Sequence, residues 1–388
     1  MFHKERAGFF KKNLSGKLEY KSFCPSNLPP NPGIEVDKEL MDLILSTHKT
    51  LAVLDDRAQN IPDMNLFVSM YVQKEALLSS QIEGTQATLE DIFDPNRDEN
   101  INKDVTDVVN YIKATNYAIE RLDTLPLCKR LLLETHKILL SGVRGEEKNP
   151  GEFRKSQNWI GGAGSTLKTA RYIPPNPLDM DECLSDLEIY INENEEYDVL
   201  INAALIHYQF ETIHPFLDGN GRIGRLLIVL YLLDKKVIET PALYLSYYLK
   251  ENRIEYYDRM TAVRETGNYE QWIKFFIEGI FISAKFAIET ADELIQIKER
   301  DKKLIEDYEI NSRAKNTLNE LYGYIISHPV IDIPNTAKSL SLSYNTVSTA
   351  ISRLEDLNIL SEITNQSRGK IYSYDSYLKI LKRGTQNI

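Results

Sequence analysis

His214-Pro215-Phe216-Leu217-Asp218-Gly219-Asn220-Gly221-Arg222-Ile223-Gly224-Arg225 is the stretch whose reading decides the fold. An apolar-periodic run, Val199 to Phe210, leads into it, and another, Leu226 to Leu233, leads out. The residue before a proline is pushed away from α-helical angles, so the first run predicts a helix that stops at His214. Gly219 and Gly221 free the backbone to curl its N–H groups inward, and a second helix should begin at about Asn220. The open N–H groups and positive end of such a helix make an anion site. Arg222 and Arg225 share one face of it and add guanidinium forks suited to phosphate oxygens. Asp218 beside them is a candidate Mg2+ ligand, and His214 can take a proton near neutral pH. Residue types alone describe a Mg-nucleotide site with a general base.

The stretch resembles the signature of the Fic family (Fic/Doc-type proteins), His-Pro-Phe-x-Asp-Gly-Asn-Gly-Arg-x-x-Arg, and fills all nine fixed positions of the twelve. The resemblance, which spans roughly residues 37–285, implies a mainly α fold: a Fic-type helical core with a β-hairpin flap. It implies transfer of AMP from ATP to a Tyr, Thr or Ser hydroxyl of a target protein, with ATP and Mg2+ required. His214 would then be the catalytic base and Asp218 the metal ligand. Gly219, Asn220, Gly221, Arg222, Ile223, Gly224 and Arg225 would bind the nucleotide's phosphates. The twelve residues read phosphates and not the base, so transfer of UMP, phosphate or phosphocholine stays open, as does removal of AMP.

Upstream, an apolar-periodic helix runs to Ser79-Ser80-Gln81-Ile82-Glu83 and meets Gly84, a natural helix-ending residue. Ser79 and Glu83 are i and i+4 and project from one face. Taken alone, a Glu before such a Gly is usually a solvated helix end. Ser79-x-x-x-Glu83-Gly84 is also similar to the family's inhibitory motif, Ser/Thr-x-x-x-Glu-Gly/Asn, which implies that Glu83 pairs with Arg225 and denies that fork to the γ-phosphate.

Asn158 to Pro175 carries two β-prone pieces around a glycine-rich tip, which predicts a hairpin. In Fic proteins this is the flap that holds the target chain as an added strand, here through Trp159, Ile160, Tyr172 and Ile173. A phosphate-binding P-loop at Gly164 to Thr169 is rejected, because Leu167 stands where that motif needs Gly. His207, Glu211 and His214 fall on one helical face, a spacing that metal hydrolases also use, but a satisfied core histidine is the commoner meaning of His207. Glu251, Asn252 and Tyr256 are loosely matched candidates for adenosine contacts.

Forty-six Lys and Arg against 57 Asp and Glu give a net charge of −11, against a surface built to coat nucleic acid or anionic membrane. Three widely spaced cysteines, Cys24, Cys128 and Cys183, suit a reducing compartment. No apolar leader region is evident and no apolar run is long enough for a bilayer, so a cytoplasmic protein without membrane partners is expected.

The expected division is an N-terminal arm and helical region over 1–103, with an inhibitory helix at 66–84. A Fic core over 104–285, a linker helix over 286–312 and a small C-terminal domain over 313–388 follow. Residues 1–36, with Pro25, Pro29, Pro30 and Pro32, read as an extended arm. The last segment resembles a winged helix-turn-helix, its third helix starting after Ser343 and its hairpin wing around Asn365 to Gly369. Nine Lys and Arg against six Asp and Glu give it a balance of +3, which favours DNA as a partner through residues 343–374. A DNA-binding regulator with a silent core is the rival of another class. The target protein is not legible, and a homodimer stays open.

Overall fold

The computed structural model describes residues 4–16, 19–60, 64–93, 102–142, 145, 147–162, 164–194, 196–364, 369–383 and 385. The N-terminal residues, expected as an extended arm, form an antiparallel hairpin, β1 (Gly8–Asn13) and β2 (Tyr20–Pro25). Its apolar face is satisfied by distant elements, which local periodicity does not reveal. The Phe23 N–H donates to the Ile173 carbonyl at 2.9 Å. Arg6 pairs with Glu270 at 3.0 Å.

Eleven helices follow among the described residues: α1 (Lys38–Asn60), α2 (Met64–Ile82), α3 (Leu89–Phe93), α4 (Lys103–Leu122), α5 (Lys129–Leu139), α6 (Pro177–Glu193), α7 (Val199–Ile213), α8 (Asn220–Asp234), α9 (Ser246–Glu251), α10 (Arg253–Thr266) and α11 (Tyr269–Asp307). Helix α7 is the axis of the core: every residue from Leu200 to Ile213 is buried. A helix covered all round reads as apolar all round, and this one packs against α6, α8 and α11. Trp272 of α11 donates its indole N–H to the Ala204 carbonyl at 2.9 Å, which pins α11 onto α7. Helix α2 lies against α4, α8 and α9.

The boundary expected at 285/286 falls inside α11, which runs unbroken for 39 residues. Ala284, Ala287, Ala291 and Leu294 stay buried along it, in contact with α1, so the packed stripe carries the helix past the core.

The C-terminal part follows the anticipated order: α12 (Ser312–Ser327), β3 (Val330–Asp332), α13 (Ile333–Ser339), α14 (Tyr344–Asp356), β4 (Ser361–Glu362) and β5 (Ile371–Ser373). The strands form one antiparallel sheet in the order β3-β5-β4. A final helix, α15 (Asp375–Leu381), was not expected. The hairpin tip expected at 365–368 lies outside the described residues. Among the described residues no helix is long and apolar enough to cross a membrane.

Candidate active site

Helix α7 ends at Ile213, as the proline requires, and His214 turns into the left-handed region at φ 50°, ψ 61°. Such a conformation is costly for a side-chain-bearing residue, and its surroundings hold it. The His214 carbonyl accepts from Arg154 Nε at 2.9 Å and from Asn158 Nδ2 at 3.3 Å. Arg154, 2% exposed, also donates its backbone N–H to the Pro215 carbonyl at 2.9 Å. Burial, then the nearby Arg154 charge, holds the His214 imidazole down to about 4, so it is a neutral acceptor at physiological pH.

The loop then closes on itself. Asn220 Oδ1 accepts from the Phe216 N–H, and its amide donates back to the Phe216 carbonyl, both at 2.8 Å. The Asn220 side chain, expected to meet phosphate, is therefore a brace of the loop. Gly219 takes φ 79° as the residue before α8, an angle that favours glycine. Asp218 Oδ1 accepts from the Gly219 N–H at 2.6 Å and lies 3.4 Å from Arg222. A Cβ on Gly145 would come within 2.8 Å of Asp218 Oδ2, so the bare glycine leaves that oxygen room. His136 sets the turn from beneath. It stacks on Phe216 at 3.8 Å and donates Nε2–H to the Asp218 carbonyl at 3.0 Å, while its Nδ1 accepts from Gly151. A hard carboxylate oxygen with that room fits Mg2+.

The two arginines part company. Arg222 lies 3.8 Å from Asp107 of α4. Arg225, its side chain 1% exposed, donates Nε–H to Ser79 Oγ at 2.8 Å. Its Nη2 donates to the Ser79 carbonyl at 2.9 Å and to Glu83 Oε1 at 2.8 Å. A buried guanidinium needs such partners, because an unmatched buried charge is expensive. Desolvation opposes ionisation of Glu83, but the Arg225 guanidinium outweighs it and holds the carboxyl below the usual range. A Cβ on Gly221 would collide with Glu83 Oε1, so the carboxylate sits over the first turn of α8.

Other expectations divide. Ile160 and Tyr172 form one antiparallel bridge where a hairpin was expected. Trp159 and Ile160 are 41% and 39% exposed, but Tyr172 is buried, its hydroxyl donating to the Thr212 carbonyl at 2.6 Å. The Ile173 carbonyl is taken by Phe23 of β2. A target strand would meet the Trp159–Ile160 side alone. Tyr256, a candidate for adenosine, is core: its hydroxyl donates to His207 Nε2 at 2.9 Å, while His207 Nδ1–H donates to the Gly224 carbonyl at 3.0 Å. That network occupies both nitrogens of His207 and removes it from a metal trio. Among the described residues no cluster of potential metal ligands is found. Its neighbour Tyr257 interacts electrostatically with Glu83 and Arg225, a placement the sequence did not signal. Glu251 is exposed, and Asn252 bonds the Tyr248 carbonyl at 3.0 Å. Asp107, Arg154, Asn158 and His136 were also missed, because they reach the loop from other elements.

A helix N-terminus, a neutral imidazole, a carboxylate and two separately partnered arginines thus lie on one loop and the first turns of α8, the chemistry of an anion site. The comparisons name the family. The model described as Fic/DOC family matches residues 126–232, and that described as Fic/DOC family N-terminal matches residues 41–120; over these residues the chain belongs to the Fic/DOC family. The chain is 31% identical over 172 residues to a protein adenylyltransferase Fic of Culex quinquefasciatus, covering 44% of this chain and 30% of that one. The corresponding protein of Aedes aegypti is 30% identical over the same length. The chain thus spans about a third of the length of these relatives. A Fic family protein from Desulfovibrio desulfuricans G20 superposes with a TM-score of 0.56 at 18% identity, over 88% of this chain and 97% of that one. A Fic domain containing signaling protein from Bacteroides thetaiotaomicron VPI-5482 gives 0.51 at 17% identity, over 63% and 97%.

Proposed function

We propose that this protein transfers AMP from ATP to a hydroxyl side chain of a target protein, and that Glu83 restrains it by occupying Arg225. In this reading the target hydroxyl oxygen attacks the α-phosphorus, His214 takes its proton, and the bond to the β-phosphate oxygen breaks to release pyrophosphate. The backbone N–H groups at the start of α8 receive phosphate oxygens, Arg222 balances the β-phosphate, and Arg225 the γ-phosphate. Asp218 would hold Mg2+, whose charge, when bound, offsets that of the phosphates. Positioning and electrostatics supply most of the catalysis. The exposed Trp159–Ile160 side of the flap is where an extended target segment would lie.

The observation that carries the reading is the contact among Glu83, Ser79 and Arg225. In this reading the Glu83 carboxylate takes the fork that the γ-phosphate needs. Removing it should uncover activity. With ATP labelled on the α-phosphate, Glu83→Gly should raise protein labelling by about tenfold or more, roughly the worth of one hydrogen bond between charged groups. Glu83→Gly combined with His214→Ala should show none. Labelling that survives loss of His214 would refute its role. Label from UTP in preference to ATP would redirect the substrate.

A second reading concerns the C-terminal part. A groove of about 620 Å3 lies beside α14, lined by Asn311, Arg313, Ser343, Asn345, Thr349 and Arg353. We propose that this winged-helix-like unit docks on duplex DNA through residues 343–374, with α14 in a groove. Anisotropy of a labelled mixed-sequence duplex should rise with protein at low salt, and Arg353→Ala should weaken binding severalfold. Salt-insensitive or absent binding would remove the reading.

A further inference from the structure

Helix α2 carries Ser79 and ends at Ile82, so the restraining Glu83 lies just past it, before Gly84 at φ 97°. Local bonds close this turn, from the Glu83 N–H to the Ser80 carbonyl and from the Gly84 N–H to the Gln81 carbonyl, and the far end of the chain adds to their hold. Gln81, two positions before Glu83, donates Nε2 to the Thr385 carbonyl at 3.3 Å and to the Ala87 carbonyl at 3.1 Å, while its Oε1 accepts from Lys250 at 2.9 Å. Lys382 forms an ion pair with Glu90 in α3, just past the loop that Glu83 begins. On α15 the Tyr377 hydroxyl meets Met70 Sδ of α2, and both residues are buried. Arg383 pairs with Glu293 of α11, and the Tyr374 hydroxyl bonds the buried Asp301 of the same helix. The segment is thus anchored on α11 and touches the α2–α3 region at Met70, Gln81 and Glu90.

We propose that residues 375–383 together with Thr385 are a strap that keeps α2 and the Glu83 turn in their restraining position, so that displacing the C-terminal part frees Arg225 from Glu83. The inference rests on the reading of Glu83 as the inhibitor. The polar contacts are partly exposed and individually weak, so the strap biases an equilibrium without closing it. That suits a restraint that must be released. Whatever grips the C-terminal part and pulls α15 from α11 would raise transfer at a site built from residues at least 150 positions earlier.

Three variants test it in the full chain: Lys382→Glu, the exchange Lys382→Glu with Glu90→Lys, and truncation after Leu381. With Glu83 intact, Lys382→Glu should raise labelling from α-labelled ATP about threefold, the scale of one surface pair turned repulsive. The exchange should return it to the starting level, and truncation should raise it further. In the Glu83→Gly background none of them should add anything. A Glu83→Gly protein that is active, beside strap variants that stay silent, overturns the strap and leaves the inhibitory reading standing. Hydrogen exchange over residues 76–86 reads the strap without activity. It should speed up in the truncated protein while residues 200–213 stay protected, and unchanged exchange overturns the inference even if Glu83→Gly itself proves inert.

Discussion

Among single residues, the histidines show how environment assigns roles. His214 and His207 lie seven positions apart on and just past one helix. His214 sits in the turn braced by Arg154 and Asn158 and is the proposed base, whereas His207 is sealed between Gly224 and Tyr256. Burial holds the His207 imidazole down to about 3. The sign follows from linkage: between about pH 3 and 6.5 the unfolded chain binds this proton and the folded one does not, so stability falls as pH drops below 6.5. The cost is about 1.4 kcal/mol per pH unit for the one group. Glu75 and Glu211 work oppositely, since burial pushes both carboxyls up to about 7. The raw slope therefore mixes signs, and a variant isolates the histidine. His207→Gln should lose about 2 kcal/mol less than the parent between pH 6.5 and 5, read from denaturant midpoints. Equal losses would show that His207 titrates in the folded state.

At the level of elements, the close approach of α7 and α8 is what aims the loop between them. A Cβ on Gly224 would strike Glu211 Oε1 and come within 3.1 Å of Phe210. Gly323 of α12 has nothing within 4 Å of that position. Both are helical glycines, so propensity alone favours alanine at each by about 0.5–1 kcal/mol. Gly323→Ala should gain roughly that much. Gly224→Ala should lose about 1–3 kcal/mol through overpacking and displace Arg225 from the mouth of the site. Urea midpoints of the two variants moving in the same direction would contradict the packing described. The flap shows the reverse dependence. Its composition promised a hairpin, but the N-terminal strand takes the Ile173 carbonyl and Thr212 anchors Tyr172, so half of the anticipated docking edge is already in use.

For the molecule as a whole, the long helix α11 is the common frame. The core packs on its first half, α1 runs along it, and α15 returns to it. The strap and its exchange experiment belong to this scale, because they ask whether a C-terminal event reaches Arg225. Much of the site was legible beforehand. The stop at His214 and the start of α8 at Asn220 follow from proline and glycine, which act over a few residues, whereas the pairing of Glu83 with Arg225 was implied only by the resemblance to the Fic family. Asp107, His136, Arg154 and Asn158 were not legible, since each approaches the loop from another element and carries no local pattern. Tyr256 was misread for the same reason: its spacing suits a pocket wall, and only packing against His207 makes it core. The sequence by itself determined the helix–loop–helix and the chemistry it presents, because backbone preferences and residue type are local properties. Only the tertiary structure decided which partners hold that chemistry in check, from Glu83 on Arg225 to the distant segment that braces Gln81, because those contacts exist only once the helices have packed.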